Sequence, residues 1–409
     1  MEEFKLSKSP FSTTDSSPMV FVSGGQGAYE NTIRALSKVD LTPARGKRVL
    51  LKPNAGRMAR PGSGVNTEPL VVAAAIDAFR GVGADVAVGE SPITGVKTPE
   101  AFDITGIAAV AKERDCPLID MDVRRYVDVS LPEGIAIQGL KLCPDIFDFD
   151  IIVSIPVMKM HMHTGVTLGI KNMKGCLWRR SKVALHMLPP VDGWDEKPLD
   201  IAISDMSYAL RPHLTIIDGT VGLEGIGPSA GQPKPLGVVV VGTDGYAVDA
   251  VACELMGTHA LDVPHLKLGA RRGYGIIDLA RIDVYPETWR DWSKPFEKPP
   301  TDISIGFPDF NILDENSCSA CQSSLLLFLR CYGDKVLKHF SGDKKVDVAI
   351  GKGHVEVPVG TLCIGNCTAK QKERGIYVKG CPPVGSEILR AITGFPTIDE
   401  KDANPEEKK

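Results

Sequence analysis

The chain has 409 residues, 43% of them hydrophobic and 24% charged, and its 47 basic and 51 acidic side chains leave a formal net charge of −4. That length is enough for two or three domains with a buried core. The charge balance gives no general attraction for nucleic acid or an anionic membrane, no apolar run approaches the ~20 residues that cross a bilayer, and the start of the chain lacks the apolar segment of a secretory signal, so a cytoplasmic protein with no nucleic-acid or membrane partner is expected.

Residues 1–18 are polar, rich in Ser and Thr, and read as a disordered lead-in. From 19 to 284, strand-like and helix-like runs alternate. Residues 19–22 read as a strand leading into Gly24-Gly25-Gln26-Gly27, a loop able to cradle phosphate that matches neither the dinucleotide nor the P-loop pattern. Residues 47–51 read as a strand ending in Lys52-Pro53-Asn54. Thr67 is expected to cap a helix with Pro69 in its first turn, stopping near Gly81 and Gly83. With the strand at 85–89 this makes a β-α-β unit, which implies parallel pairing and a right-handed crossover. A helix over 99–114, a strand over 117–121 and a nearly all-apolar central strand over 150–156 follow. A helix at 199–210, strands at 213–218 and 236–241, and a helix at 246–256 complete the pattern. The expectation is a layered α/β domain with a mostly parallel sheet over 19–284. A Pro/Trp-rich linker at 285–309, a smaller cysteine-rich α/β domain at 310–397 and a solvated charged tail at 398–409 come after it.

The ten cysteines are unevenly placed. Cys116, Cys143, Cys176 and Cys253 are scattered, whereas Cys318, Cys321, Cys331, Cys363, Cys367 and Cys381 crowd together near the end. In a reducing compartment, grouped cysteines bind metal or do redox chemistry more often than they form disulfides. Cys318-Ser319-Ala320-Cys321 precedes an apolar helical run, which puts two thiolates one turn apart where a helix start favours negative charge. Gly365-Asn366-Cys367 and Gly380-Cys381-Pro382 set single cysteines in glycine loops, where backbone can come close to a bulky group. Four soft thiolates select zinc, Cu(I) or an iron–sulfur cluster. Structural zinc usually takes two compact C-x-x-C knuckles, and Cys-Pro is common at iron–sulfur ligands. The spacing therefore favours a cluster, with zinc and a redox dithiol as alternatives.

The runs C-S-A-C-Q-S-S-L-L, G-N-C-T and G-C-P-P resemble the proximal-cluster motif of nickel–iron hydrogenase small subunits and related respiratory-complex subunits. The resemblance covers only the last part of the chain and implies a 4Fe–4S cluster on Cys318, Cys321, Cys367 and Cys381. The domain is shorter than a hydrogenase small subunit, Cys363 stands as an alternative to Cys367, and Cys331 reads as packing. The larger part of the chain resembles the domain-of-unknown-function family numbered 362. The match lies in L-L-K-P-N at 50–54, V-N-T-E-P-L at 65–70, the segment 156–175, and G-T-D-G-Y-A-V-D-A at 242–250. Members often append an iron–sulfur module, so this resemblance implies a fold and a cluster but no reaction.

Lys52 and Asn54 sit where a strand ends, which is where open α/β sheets bind ligands. The strand at 150–156 leads into Lys159-Met160-His161-Met162-His163, then Lys171-Asn172-Met173-Lys174-Gly175, Arg179-Arg180 and Lys182. So many cations in an otherwise slightly acidic chain make a site for carboxylate or phosphate. Lys52, Asn54, His163, Asn172 and Lys174 are expected to hold an anionic substrate. Lys159, His161 or Lys171 is expected to supply a proton, since His titrates near neutrality and a crowded Lys is lowered. The competing reading is a solvated basic loop with core lysines bonded to carbonyls. His161 and His163, two apart, would share one face of an extended chain as a metal pair needs, although no third ligand is evident. Asp218, Glu224 and Asp244 follow strands and could bind a hydroxyl or divalent ion, or simply make turns. Asp249 could cap its helix or bond Lys52, and Cys176 reads as a buried thiol.

Together these features point to a cytoplasmic iron–sulfur oxidoreductase that passes electrons from a 4Fe–4S cluster to an anionic small molecule, with a redox protein as a further partner. A ferredoxin-like carrier that docks a partner enzyme, and a non-redox isomerase or lyase with a structural cluster, are the alternatives. The large α/β domain with charged strand ends favours the enzyme.

Overall fold

Every side chain of Ile151–Ile155 is buried, and their alternation divides the core around them in two. Ile151, Val153 and Ile155 pack with the helices Ala28–Leu36 and Pro69–Gly81, through Leu36, Val72, Ile76 and Phe79. Ile152 faces the other way, toward the helices Pro198–Ala209 and Gly245–Leu255, with Ile203, Met206 and Val251. Each fully buried Ile, Leu or Phe contributes about 1.5–3 kcal/mol, so a strand apolar on both faces is held centrally between two helical layers. The computed structural model describes residues 2–12, 17–299, 306–340 and 345–394. It forms two units, Met1–Pro299 and Pro300–Lys409.

The strands of the first unit are β1 (Glu2–Glu3), β2 (Met19–Gly24), β3 (Arg48–Pro53), β4 (Asp85–Glu90), β5 (Leu118–Asp120), β6 (Val127–Ser130) and β7 (Gly139–Leu142). They continue with β8 (Ile151–Ile155), β9 (Val157–His161), β10 (Gly165–Thr167), β11 (Leu214–Glu224), β12 (Gln232–Gly242) and β13 (Asp283–Tyr285). The main sheet runs β13-β2-β12-β11-β8-β3-β4-β5, with β9 joined to β11 and β10 to β9. The stretch from β11 to β5 is parallel, and β12 is antiparallel to both its neighbours. The mixed α/β fold with a mostly parallel sheet is therefore as expected.

Several local expectations are corrected. Within the lead-in, Glu2–Glu3 pairs with β6, the Leu6 N–H donates to the Ala209 carbonyl and the Ser7 hydroxyl meets His213, while residues 13–16 lie outside the described residues. The helix expected over 99–114 is two helices, Thr98–Ile104 and Ile107–Glu113, parted by Gly106 at φ +75°. The strand expected at 213–218 extends to Glu224, because its far half pairs with Gln232–Pro235 beyond a bulge. Part of the expected linker is not a linker: β13 pairs with β2, Trp289 and Phe296 are buried, and the Phe296 N–H bonds the Met256 carbonyl. The segments 300–305 and 395–409, the latter including the expected tail, lie outside the described residues.

The second unit has β14 (Phe310–Asp314), β15 (Val346–Ile350), β16 (Thr361–Ile364) and β17 (Gly375–Val378), paired in that order and all parallel. One face, with Val348, Ile350, Leu362 and Ile364, is covered by the helices Ser319–Leu337 and Gly385–Thr393. The other face carries Ala349, Val357 and Cys363.

Candidate functional site

From β3 the chain moves outward to β4 and β5, then returns on the opposite side of β3 as β8. Such a reversal marks the carboxyl ends of β3 and β8 as the place where open α/β sheets bind ligands. Lys52 and Asn54 stand at the end of β3, and Ser154 lies near the end of β8. The Lys52 ammonium, fully buried, donates to Glu90 Oε2 at 3.0 Å, the Pro53 carbonyl at 3.0 Å and Asn172 Oδ1 at 3.4 Å. Glu90, at the end of β4, also accepts from the N–H groups of Ala55 and Ser91. Gly175 passes directly over this pair. A Cβ at that position would overlap both the Glu90 carboxylate and the Lys52 ammonium, so close backbone approach requires glycine.

Asn172 donates to the Lys52 carbonyl at 3.1 Å and Ser154 Oγ at 3.0 Å, and accepts from Asn54 Nδ2 at 3.2 Å. Lys159 donates to Asn54 Oδ1 and to the Val65 carbonyl, both at 2.8 Å. Lys52, Asn54, Lys159 and Asn172 thus form one network. Thr67 does not cap the helix after it: its hydroxyl donates to the Ile155 carbonyl at 2.6 Å and accepts from the Asn54 N–H at 2.8 Å, tying the ends of β3 and β8 together. Lys171, on the short helix Gly169–Asn172, donates to Thr167 Oγ1 at 3.1 Å, and Lys174 contacts His186 Nε2. The expected basic loop is therefore largely buried rather than solvated; only Arg179 and Arg180 are exposed.

Burial, with Arg57 beside it, brings the Lys159 amine down to about 7. Burial also takes Lys174 to about 7, with Lys182 and Arg57 acting in the same sense. Lys171 lies well below the ordinary lysine range through burial and the charges of Lys174 and Lys159, and His161 is lowered well by burial and then by Lys171. Glu90 is engaged by Lys52, while Arg57, Lys159, Lys171 and Lys174 form no ion pair among the described residues. Cations gathered without matching acid hold either neutral amines or a bound anion.

A cavity of about 640 Å³ adjoins this cluster. Of the expected residues only His161 and His163 line it, together with Lys197, Asp200, Asp262 and Lys267; Lys52, Asn54, Lys159, Lys171, Asn172 and Lys174 do not. The His161 and His163 rings are 5.6 Å apart, and the His163 N–H donates to His161 Nδ1. Among the described residues no three His, Cys, Asp or Glu side chains form a ready metal-binding group.

The acidic candidates serve the backbone. Asp218 accepts from the Glu68 and Thr220 N–H groups, and Asp244 caps its helix through the Tyr246 and Ala247 N–H groups. Glu224 pairs with Lys234 at 3.0 Å. Asp249 neither caps its helix nor meets Lys52: it accepts from the Gly169 and Ile170 N–H groups at 2.7 and 3.0 Å, holding the turn that carries Lys171. Cys176 is fully buried and its thiol is raised to about 12, chiefly by burial. Gly25, Gln26 and Gly27 form an exposed link between β2 and the next helix.

In the second unit, Cys318 immediately precedes the helix Ser319–Leu337, without a side-chain capping bond, and Cys321 lies one turn in. The two neighbouring thiols act on each other, lowering Cys318 and raising Cys321; burial and then the charges of Cys367 and Cys381 raise Cys321 further. Cys318, Cys367 and Cys381 follow β14, β16 and β17, so a parallel sheet delivers all of them to its carboxyl edge. Cys363 is inside β16, facing the opposite side from the helices, against the Thr361 and Gln371 carbonyls.

The sheet and its switch point define an α/β protein with a network of polar side chains gathered at the strand ends. The chain belongs to the family described as a domain of unknown function (DUF362), whose model matches residues 49–254, half of its length. It is similar to the thylakoid-associated protein sll1697 of Synechocystis sp., 29% identical over 228 residues that cover 56% of this chain and 68% of that protein. A solved structure, the lactate racemase apoprotein from Thermoanaerobacterium thermosaccharolyticum, matches at 13% identity with a TM-score of 0.39, over 85% of this chain and 73% of that one. Among the described residues no helix is long and apolar enough to cross a membrane.

The sequence reading missed Glu90, Ser154, Arg57 and His186. Glu90 ends a strand just as Lys52 does, so the strand-end rule applied to residues 85–90 finds it. Nothing local marks Arg57 or His186, which reach the cluster through tertiary folding.

Proposed function

We propose that this chain is an iron–sulfur oxidoreductase whose α/β unit binds an anionic small molecule at the end of β3 and whose second unit carries a 4Fe–4S cluster. The observation that carries the anion reading is the gathering of Arg57, Lys159, Lys171 and Lys174 without an ion-paired acid. Lys171, Lys174 and Arg57 would bind the anion. Lys159, with an amine titrating about 7, would hold or release a proton. Asn172 would fix the geometry by accepting from both Lys52 and Asn54.

The donor set fits a cluster: four thiols at one sheet edge, with soft chemistry suited to iron and sulfide and with Gly365 backing onto Cys321. When bound, such a group supplies single electrons. The position of Cys363 on the far face supports Cys367 as the ligand. A second reading, proton transfer on the anion without electron transfer, is favoured by the depressed Lys159 and Lys174 amines.

The test is anaerobic purification of the full chain with iron, sulfide and zinc analysis, visible and EPR spectra before and after dithionite, and calorimetric titration with phosphate. About four irons with a reducible signal, and phosphate binding lost in Lys171→Ala, are expected. Zinc or no metal would remove the redox half and select the second reading. Unchanged phosphate binding in Lys171→Ala would remove the anion site.

A further inference from the structure

We propose that the ligand is an organic molecule with a doubly charged anionic end, held among Arg57, Lys171 and Lys174, and a body that fills the cavity beside His161 and His163. This rests on the anion-site reading above and names the class of molecule it takes.

The charge balance sets the first half. The Lys52–Glu90 pair is internally neutral, and Lys182 has Asp122 at 3.9 Å. Asp200 supports the Lys171 charge and lies 3.3 Å from His265, whose imidazole burial lowers. Against that single acid stand Arg57, Lys159, Lys171 and Lys174, which form no ion pair among the described residues. One carboxylate would leave most of that charge unmatched in a desolvated site, whereas a phosphate monoester or paired carboxylates match it and offer several acceptor oxygens. A dianion also restores protons to amines that burial has depressed.

The cavity sets the second half. At about 640 Å³ it falls within the range of pockets for organic ligands of substantial size and far exceeds the space of a bare phosphate or a two-carbon acid. His161 belongs to both regions: it lines the cavity, and the Lys171 and Lys174 charges act on it. Lys197, Asp262 and Lys267 give the walls both signs of charge, which suits a polar body such as a sugar rather than a hydrocarbon chain.

Calorimetry of the full chain with ribose 5-phosphate, malate, orthophosphate and acetate, in two buffers of different ionisation enthalpy slightly above neutral pH, tests this. Either doubly charged organic probe should bind about tenfold or more tighter than orthophosphate and take up roughly one proton. The ratio of ribose 5-phosphate to malate affinity identifies the charged group. Asp262→Trp, on the exposed rim of the cavity, should bring the organic ligand down to orthophosphate affinity and leave orthophosphate unaffected. An unchanged ratio in Asp262→Trp would overturn the placement of the body. Acetate binding as tightly as orthophosphate, with no proton uptake, would overturn the dianion while leaving an anion site. No binding by any of the four would overturn the anion-site reading itself.

Discussion

Lys52 and Glu90 meet at 3.0 Å across the ends of two adjacent parallel strands, with side chains 0% and 2% exposed. Each is also bonded by its surroundings: Lys52 by the Pro53 carbonyl and Asn172, Glu90 by the Ala55 and Ser91 N–H groups. Removing one partner strands the other charge without water. Lys52→Met or Glu90→Gln alone should cost about 3–5 kcal/mol, and the double variant appreciably less than the sum. Urea unfolding followed by a probe of the first unit measures this; additive losses would mean that the two charges do not act as a pair.

The pH dependence has a definite sign. The Lys159 amine titrates about 7 when folded, against 10.5 for an ordinary lysine, and Lys174 behaves alike. Between these values the unfolded chain holds protons that the folded chain lacks. The stability of the ligand-free chain therefore rises with pH across that window, with the full penalty present below it. Anion affinity runs the other way, falling as pH rises through about 7. Denaturation near neutral pH and two units above it, with and without saturating phosphate, should show the upward trend in the free chain and its flattening when phosphate is bound.

Asp249 touches none of the expected ligand-binding side chains, yet it accepts both N–H groups that open the Lys171 turn. Asp249→Ala should cost about 2–4 kcal/mol by leaving two buried donors unsatisfied. It should also weaken phosphate binding with the pH profile of binding shifted, because the Lys171 amine is displaced. Asp249→Asn, which keeps one acceptor, should recover part of both effects. A stability loss with phosphate affinity and pH profile unchanged would limit Asp249 to packing.

The two candidate ligands in the β16 region separate by substitution. Cys363 lies on the sheet face away from the helices, and Cys367 is exposed beyond the strand end. Cys363→Ala should retain the iron and the visible absorption of the full chain, and Cys367→Ala should lose most of both. The reverse result would make Cys363 the ligand.

Much of the α/β unit was legible because its signals are local. A strand apolar at nearly every position, a proline at a helix start and polar residues after strand ends all identify themselves within a few residues. Lys52, Asn54, Lys159 and Asn172 came from that last signal, and they do share one hydrogen-bond network. What local reading misplaced depends on distant partners. Asp249 reads as a helix residue free to reach Lys52, and only the packing of Gly169 against its helix gives it two N–H groups to accept from. Thr67 reads as a cap, but its hydroxyl donates instead to the carbonyl at the end of β8, 88 residues away. The competing reading of the basic loop as solvated follows from residue types that favour water, and tertiary burial overrides that preference.

Gly175 carries information beyond its own position. Because its backbone lies where any side chain would strike both Lys52 and Glu90, the residue at this one point reports on a charge pair distant in sequence. A chain of the same fold with alanine or anything larger there must have shifted the loop, moved the ends of the lysine and glutamate side chains, or given one of them up. Reading that single position across such chains sorts those that keep the buried pair at the strand ends from those that have rebuilt it.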